Sequence, residues 1–184
     1  MTKDETIYRI IKSDREGGFR ILLDAYQKPI YYFIRRMVVV HEDAEDVMQD
    51  TFVKIFLGLN GFRGDSALST WIYRIAMNES LRFLNKKNIK LVSADNVHDE
   101  LIDSLKASDY IDYDDKMAVK FQEVILRLSD KQRVIFNLRY YDEMDYQQIS
   151  KVTDTKVATL KVTYHYIKEK IKKQMVEESY GKRL

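Results

Sequence analysis

Glycine and proline are almost missing from this chain, with six and one respectively among 184 residues. Together they usually make up about 12% of a protein. They are the residues that break helices and build hairpin turns, so their scarcity leaves helices joined by short turns as the available solution. The chain is therefore read as all-α. Hydrophobic residues make up 45% and charged residues 33%, enough apolar surface to bury a core. Its length allows one ordinary domain or two small ones.

Several classes drop out at once. With no cysteine, disulfides, thiol nucleophiles and cysteine metal sites are excluded, which fits a reducing compartment. The longest apolar run, Ile30 to Ile34, falls far short of the roughly 20 residues of a membrane span. The N-terminus has no apolar core of a signal peptide, so the expected location is the cytoplasm with no membrane insertion. No Glu-x-x-His, P-loop, G-x-S-x-G or H-E-x-x-H pattern occurs, and the three histidines fall in separate segments. The expectation is a protein with no catalytic residues, no metal site and no cofactor.

A net charge of +2 hides a segmented distribution. Residues 1–91 hold 15 basic and 12 acidic side chains, 92–115 hold 1 and 8, and 116–184 hold 15 and 9. Two basic modules joined by an acidic connector suit a polyanionic partner, with ordinary solvated surface charge as the alternative. The connector has weak periodicity and is read as a flexible linker between domains.

Periodicity places the helices. From Phe19, Leu22, Leu23, Tyr26, Ile30, Phe33, Ile34 and Met37 recur at helical spacing behind Gly17 and Gly18, with Pro29 expected to kink or interrupt the helix. A second helix from near His41 sets Ala44, Val47, Phe52 and Ile55 on one face and Asp43, Asp46, Gln49 and Asp50 on the other. Residues 60–69 read as a glycine-containing loop, followed by a helix from about Thr70 to Lys87. Arg74, Asn78, Arg82 and Lys86 recur every fourth residue there, forming a basic and amide stripe. After the connector come two short helices, the second capped by Ser129, and then a pair separated by Thr153, Asp154 and Thr155. That spacing suits a helix-turn-helix, whose second helix enters the major groove. The last helix carries Lys156, Lys161, Lys168, Lys170, Lys172 and Lys173 against Glu169. This is enough for several phosphate contacts, although a solvated C-terminal helix has the same composition.

The segment FRGDSALSTWIYRIAMN, Phe62 to Asn78, sets a glycine loop with hydroxyls before an aromatic and basic helix, the parts used to capture a splayed base. A lone Trp71 also serves a core. The acid of Asp43, Glu45, Asp46 and Asp50 would be repelled by DNA, so it faces either solvent or a basic protein partner.

Taken in order, DAEDVMQDTFVKIF (Asp43 to Phe56), FRGDSALSTWIYRIAMN and LSDKQRVIFNLRYYDEMDYQQIS (Leu128 to Ser150) with the helix pair beyond resemble the extracytoplasmic-function (ECF) sigma factors of bacterial RNA polymerase. The resemblance spans about Phe19 to Lys173. It implies two small helical domains joined by the acidic linker, 1–91 as region two and 116–184 as a four-helix region-four helix-turn-helix module, with 92–115 between them. It further implies that Asp43, Asp46, Gln49 and Asp50 dock on core RNA polymerase. Asn60, Arg63, Gly64, Ser66, Ser69, Thr70, Trp71, Arg74, Asn78 and Arg82 would then open and hold the −10 promoter element as single strand. Lys156, Ala158, Thr159, Lys161, Val162, Thr163, His165 and Lys168 would face the duplex −35 element. Membership also implies an anti-sigma factor as partner.

Two positions depart from the family pattern. Asp154 stands where the family usually has a turn glycine, and an aspartate tolerates left-handed backbone at some cost, so the turn is expected to survive. Thr163 and Tyr166 stand where the family often carries arginines. Ala158, Thr159 and Val162 are therefore expected to touch thymine methyls, with Lys161, His165 and Lys168 near phosphates. The alternative is a helix-turn-helix regulator that binds duplex DNA without acting as a sigma subunit.

Overall fold

The computed structural model describes residues 2–90 and 116–180, so the linker expectation for 92–115 lies outside the described residues. Eight α-helices and no strand occur among them: α1 Lys3–Ser13, α2 Arg15–Val38, α3 His41–Gly58, α4 Leu68–Lys90, α5 Lys116–Leu126, α6 Asp130–Tyr140, α7 Tyr146–Thr153 and α8 Val157–Tyr180. A single 3-10 turn, Leu59–Gly61, follows α3. The all-α reading holds. Helices α1–α4 pack on one another, and α5–α8 form the second four-helix group.

The helices placed from periodicity omit the N-terminal helix α1, although Ile7, Ile10 and Ile11 recur there at helical spacing. It starts on a capping box in which the Thr2 hydroxyl accepts from the Glu5 amide and the Glu5 carboxylate accepts from the Thr2 amide. Ile7 and Ile11 are its buried residues. Gly17 and Gly18 do not precede α2; they sit in its first turn, behind the cap Asp14. A side chain at Gly18 would lie 2.6 Å from the Ile11 backbone nitrogen, so this glycine permits close crossing of α1 over α2. Helix α2 then runs through Pro29 without a break. Its neighbours hold it, since Tyr26, Ile30 and Phe33 on either side of the proline are buried in the core.

Helices α2 and α3 meet in a very tight corner. Val39 takes φ 71° and ψ −47°, and the Val40 amide donates to the Val38 carbonyl at 2.9 Å, closing a three-residue turn. A β-branched residue is strained there, and Val39 at 2% exposure is held by burial. In the second group, reciprocal capping boxes at Ser129 with Gln132 and Asp145 with Gln148 start α6 and α7. Asp154 adopts the left-handed conformation, φ 53° and ψ 37°, between α7 and α8, so the turn survives without glycine. Asp154→Gly is expected to raise stability by about 1 kcal/mol through relief of that conformation. The measurement is a higher urea midpoint at unchanged slope.

The two groups are in contact: α2 packs on α6 and α4 on α7. At that seam one Arg36 nitrogen donates to both Asp142 oxygens at 2.9 Å, and the Tyr73 hydroxyl donates to Asp142 at 3.2 Å. The Arg36 and Asp142 side chains are only 9% and 8% exposed. Asn137, fully buried, donates to the Met37 sulfur at 3.4 Å.

Candidate nucleic-acid interface

The stripe on α4 forms as its spacing predicts, with Arg74, Asn78, Arg82 and Lys86 all exposed. Two of its cations are already engaged. The Arg82 guanidinium donates to Glu79 and, at 3.1 Å, to Asp50 of α3. Glu79 also accepts from Lys54. Burial pushes the Glu79 carboxyl up, but hydrogen bonds and charge from Lys54 and Arg82 together outweigh it and hold the group below the usual carboxylate range. Arg74 donates to the Lys151 carbonyl in the last turn of α7, across the seam. A helix C-terminus offers unpaired carbonyls and partial negative charge, which explains why this cation settles there.

The loop before α4 is built on aromatic packing. Phe62 is buried, with Tyr8 edge-on at 5.1 Å and Trp71 tilted against it at 5.0 Å. Trp71 is half-buried, and a side chain at Gly58 would lie 2.9 Å from its ring. The indole thus belongs first to the floor of the loop. Gly64 takes φ +82°, the positive φ that glycine permits. Asn60, Arg63 and Gly64 are exposed, Ser66 and Ser69 half-buried, and Thr70 is buried at 5%. Thr70 therefore faces the core, whereas its neighbours line the surface. An open cavity of about 670 Å³ lies between this loop and α1, lined by Tyr8, Gly64, Ser66 and Ser69 among others.

On α3, Asp46, Gln49 and Asp50 are exposed and Asp43 is half-buried. Lys87 of α4 reaches Asp43 at 3.2 Å, His41 reaches Glu45 at 3.4 Å, and Arg82 takes Asp50. Among the described residues Asp46 has no such ion pair. Val53 and Leu57, 53% and 67% exposed, continue the line of Asp46 and Asp50 along the helix at spacings of three and four. Motif reading passed over these two apolar side chains. The signal was their helical register with the acid.

Helix α8 divides as a recognition helix should. Leu160, Ile167 and Ile171 are buried, whereas Lys156, just ahead of it, and Ala158, Thr159, Lys161, Val162, His165 and Lys168 are exposed. Thr163 differs, because it is half-buried and lines a cavity of about 330 Å³ at the seam with Met77 and Leu81 of α4. Tyr166, 66% exposed, joins the outer face instead. Among the described residues no group of His, Asp and Glu is arranged to hold a metal ion, and no helix is long and apolar enough to cross a membrane.

Comparison with known proteins places these two modules. Residues 22–89 match the family described as Sigma-70 region 2, and residues 118–171 match Sigma-70, region 4. The ECF sigma factor SigW of Bacillus subtilis is 28% identical over 173 residues, covering 90% of this chain and 92% of its own. The sigma-H factor of Pseudomonas aeruginosa is 27% identical, covering 94% of each chain. Among solved structures, CnrH in complex with the cytosolic domain of CnrY superposes with a TM-score of 0.70 at 17% identity, over 95% of this chain and 97% of that one. RpoE of Bartonella quintana, solved with the anti-sigma factor NepR, gives 0.65 at 18% identity over 85% and 96%. A regulator with an unrelated sensing module would not carry region 2 ahead of region 4. The chain belongs to the sigma-70 family, in its extracytoplasmic-function group of RNA polymerase sigma factors, which direct core polymerase to promoter DNA.

Proposed function

We propose that residues 1–91 dock on core polymerase and hold the −10 element, that 92–115 connect, and that 116–184 read the −35 duplex. The exposed acid of α3 serves the polymerase, with Asp46 as an unengaged carboxylate and Val53 and Leu57 as apolar support. Arg63, Arg74, Asn78 and Arg82 serve the −10 strand, and α8 serves the −35 element. The protein does no bond chemistry of its own and works in the cytoplasm. Its partners are core polymerase, promoter DNA and an anti-sigma factor of the kind that RpoE of Bartonella quintana binds.

The observation that carries this reading is the exposed stripe of Arg74, Asn78, Arg82 and Lys86 on α4, inside the region 2 match. One of its cations, Arg74, is held by the Lys151 carbonyl of the opposite module, so reading both promoter elements at once requires the two to part. The connector permits it, since 24 residues extended at about 3.3 Å each span roughly 80 Å, against about 70 Å for two turns of DNA. In the −35 element, Ala158, Thr159 and Val162 offer methyl contacts to thymine, which favours A·T-rich sequence. Transcription by core polymerase plus this protein on a randomised promoter library tests both levels. Enrichment of an A·T-rich −35 element is the expected outcome. A G-rich one overturns the thymine assignment, and the absence of promoter-dependent RNA overturns the function.

A further inference from the structure

Helix α1 precedes the region 2 match, which begins at residue 22, yet it touches the −10 loop at three points. The first concerns the start of α4. The Trp71 amide donates to the Ala67 carbonyl, which makes Ala67 the residue that must cap the helix, and alanine has no side-chain acceptor. Asp4 of α1 takes over: one carboxylate oxygen accepts from the Ser69 amide at 2.8 Å and from the Ser69 hydroxyl at 2.7 Å. Ser69 is the second residue of α4, where a local cap would direct its acceptor. The other Asp4 oxygen accepts from the Tyr26 hydroxyl of α2. The carboxylate thus ties α1, α2 and α4 at one point.

The second and third points come from Tyr8. Its hydroxyl donates to the Phe62 carbonyl at 3.4 Å, and its ring lies so close beneath Gly64 that an added carbon would sit 3.2 Å from it. The loop is therefore held at its start by Tyr8 and at its end by Asp4, and both residues line the 670 Å³ cavity beside Ser66 and Ser69.

We infer that Asp4 is a positioning residue for −10 capture: it caps α4 from a different helix and fixes the loop that borders the cavity lined by Ser66 and Ser69. This rests on the −10 role proposed above. Lost cap geometry lets the loop sample other conformations, and capture then requires selecting the competent one.

The test uses polymerase holoenzyme and a fluorescent single-stranded −10 oligonucleotide, with binding to core polymerase and to duplex −35 DNA measured alongside. Asp4→Ala is expected to weaken −10 binding about fivefold, the size of a lost cap, with the other two affinities unchanged. Asp4→Asn, which keeps an acceptor for the Ser69 amide, is expected to recover most of the loss. Asp14→Ala, which removes the side-chain cap of α2 at the Gly17 amide away from the cavity, should leave capture intact and so separates positioning from mere stability. Wild-type affinity in Asp4→Ala, or no difference between the Ala and Asn variants, overturns the role of Asp4 alone. A wild-type holoenzyme that ignores the −10 strand overturns the underlying −10 assignment with it.

Discussion

Asp46→Lys is expected to abolish the stoichiometric complex with core RNA polymerase, as read by size-exclusion chromatography, while circular dichroism stays unchanged. Asp46 is exposed on α3, and two of its acidic neighbours are paired within the chain, Asp43 with Lys87 and Asp50 with Arg82. Asp46 itself has no ion pair among the described residues, and so is available to a basic partner. Reversing its charge removes an attraction and adds a repulsion beside Val53 and Leu57, where docking would exclude water. Disrupting a desolvated interfacial charge pair costs about 2 to 5 kcal/mol, which is a loss of thirtyfold or more. Asp43→Lys should do less, because Asp43 is half-buried and already paired. Complex formation undiminished by Asp46→Lys would move the polymerase-binding face away from α3.

Asp142→Ala is expected to part the two modules. Arg36 and Asp142 are both nearly buried, so the closed form of the variant would hold an uncompensated guanidinium that the open form hydrates. The penalty for such a broken pair is about 3 to 5 kcal/mol, equivalent to at least a hundredfold shift of the closing equilibrium. The chain lacks cysteine, so dyes placed at Lys28→Cys and Lys172→Cys report the separation without interference. Energy transfer should collapse, and a promoter fragment carrying both the −10 and −35 elements should be bound more readily with core polymerase. Arg36→Met combined with Asp142→Leu replaces the pair by apolar side chains and should restore closure, because paired burial of charge is no better than good packing. Unaltered transfer in Asp142→Ala would assign the closure to the apolar part of the seam.

The same pair has a defined response to pH. Burial pushes the Asp142 carboxyl up, more than the Arg36 charge and the hydrogen bonds pull it down. Burial, and then the Asp142 charge, likewise push the Tyr73 phenol up. A carboxyl raised in the closed form binds protons on closing, so its contribution favours closure as pH falls and weakens it as pH rises through the window between the ordinary and the raised value. Acidification is thus expected to hold or increase energy transfer, because a protonated Asp142, unlike an alanine, still offers acceptor oxygens to Arg36 and Tyr73, and Asp142→Asn should remove the dependence.

How much of this was legible in the sequence follows from range. The scarcity of glycine and proline, the apolar registers of α2, α3, α4 and α8, the Ser129 cap and the left-handed Asp154 are local properties, set by spacing and by backbone preference within a few residues. They were enough to place the fold class, the stripe on α4 and the outer face of α8. Helix α1 escaped because it is short and because Gly17 and Gly18, which belong to the first turn of α2, looked like punctuation. Only the crossing of α1 over α2 shows that Gly18 is there for close approach. Pro29 failed to interrupt α2 because burial on both sides outweighs the lost hydrogen bond.

Apart from α1, sequence alone therefore determined which helices form and which faces carry charge, since a helix displays its periodicity wherever it packs. Tertiary structure decided which charges remain free and what each helix leans on. Asp46 stands apart from Asp50 only because Arg82 crosses from α4, Thr70 turns inward beside half-buried Ser69 and Trp71, and Asp4 caps a helix that begins 64 residues later in the chain. Pairings of that kind depend on distances between remote segments, and a one-dimensional pattern does not contain them.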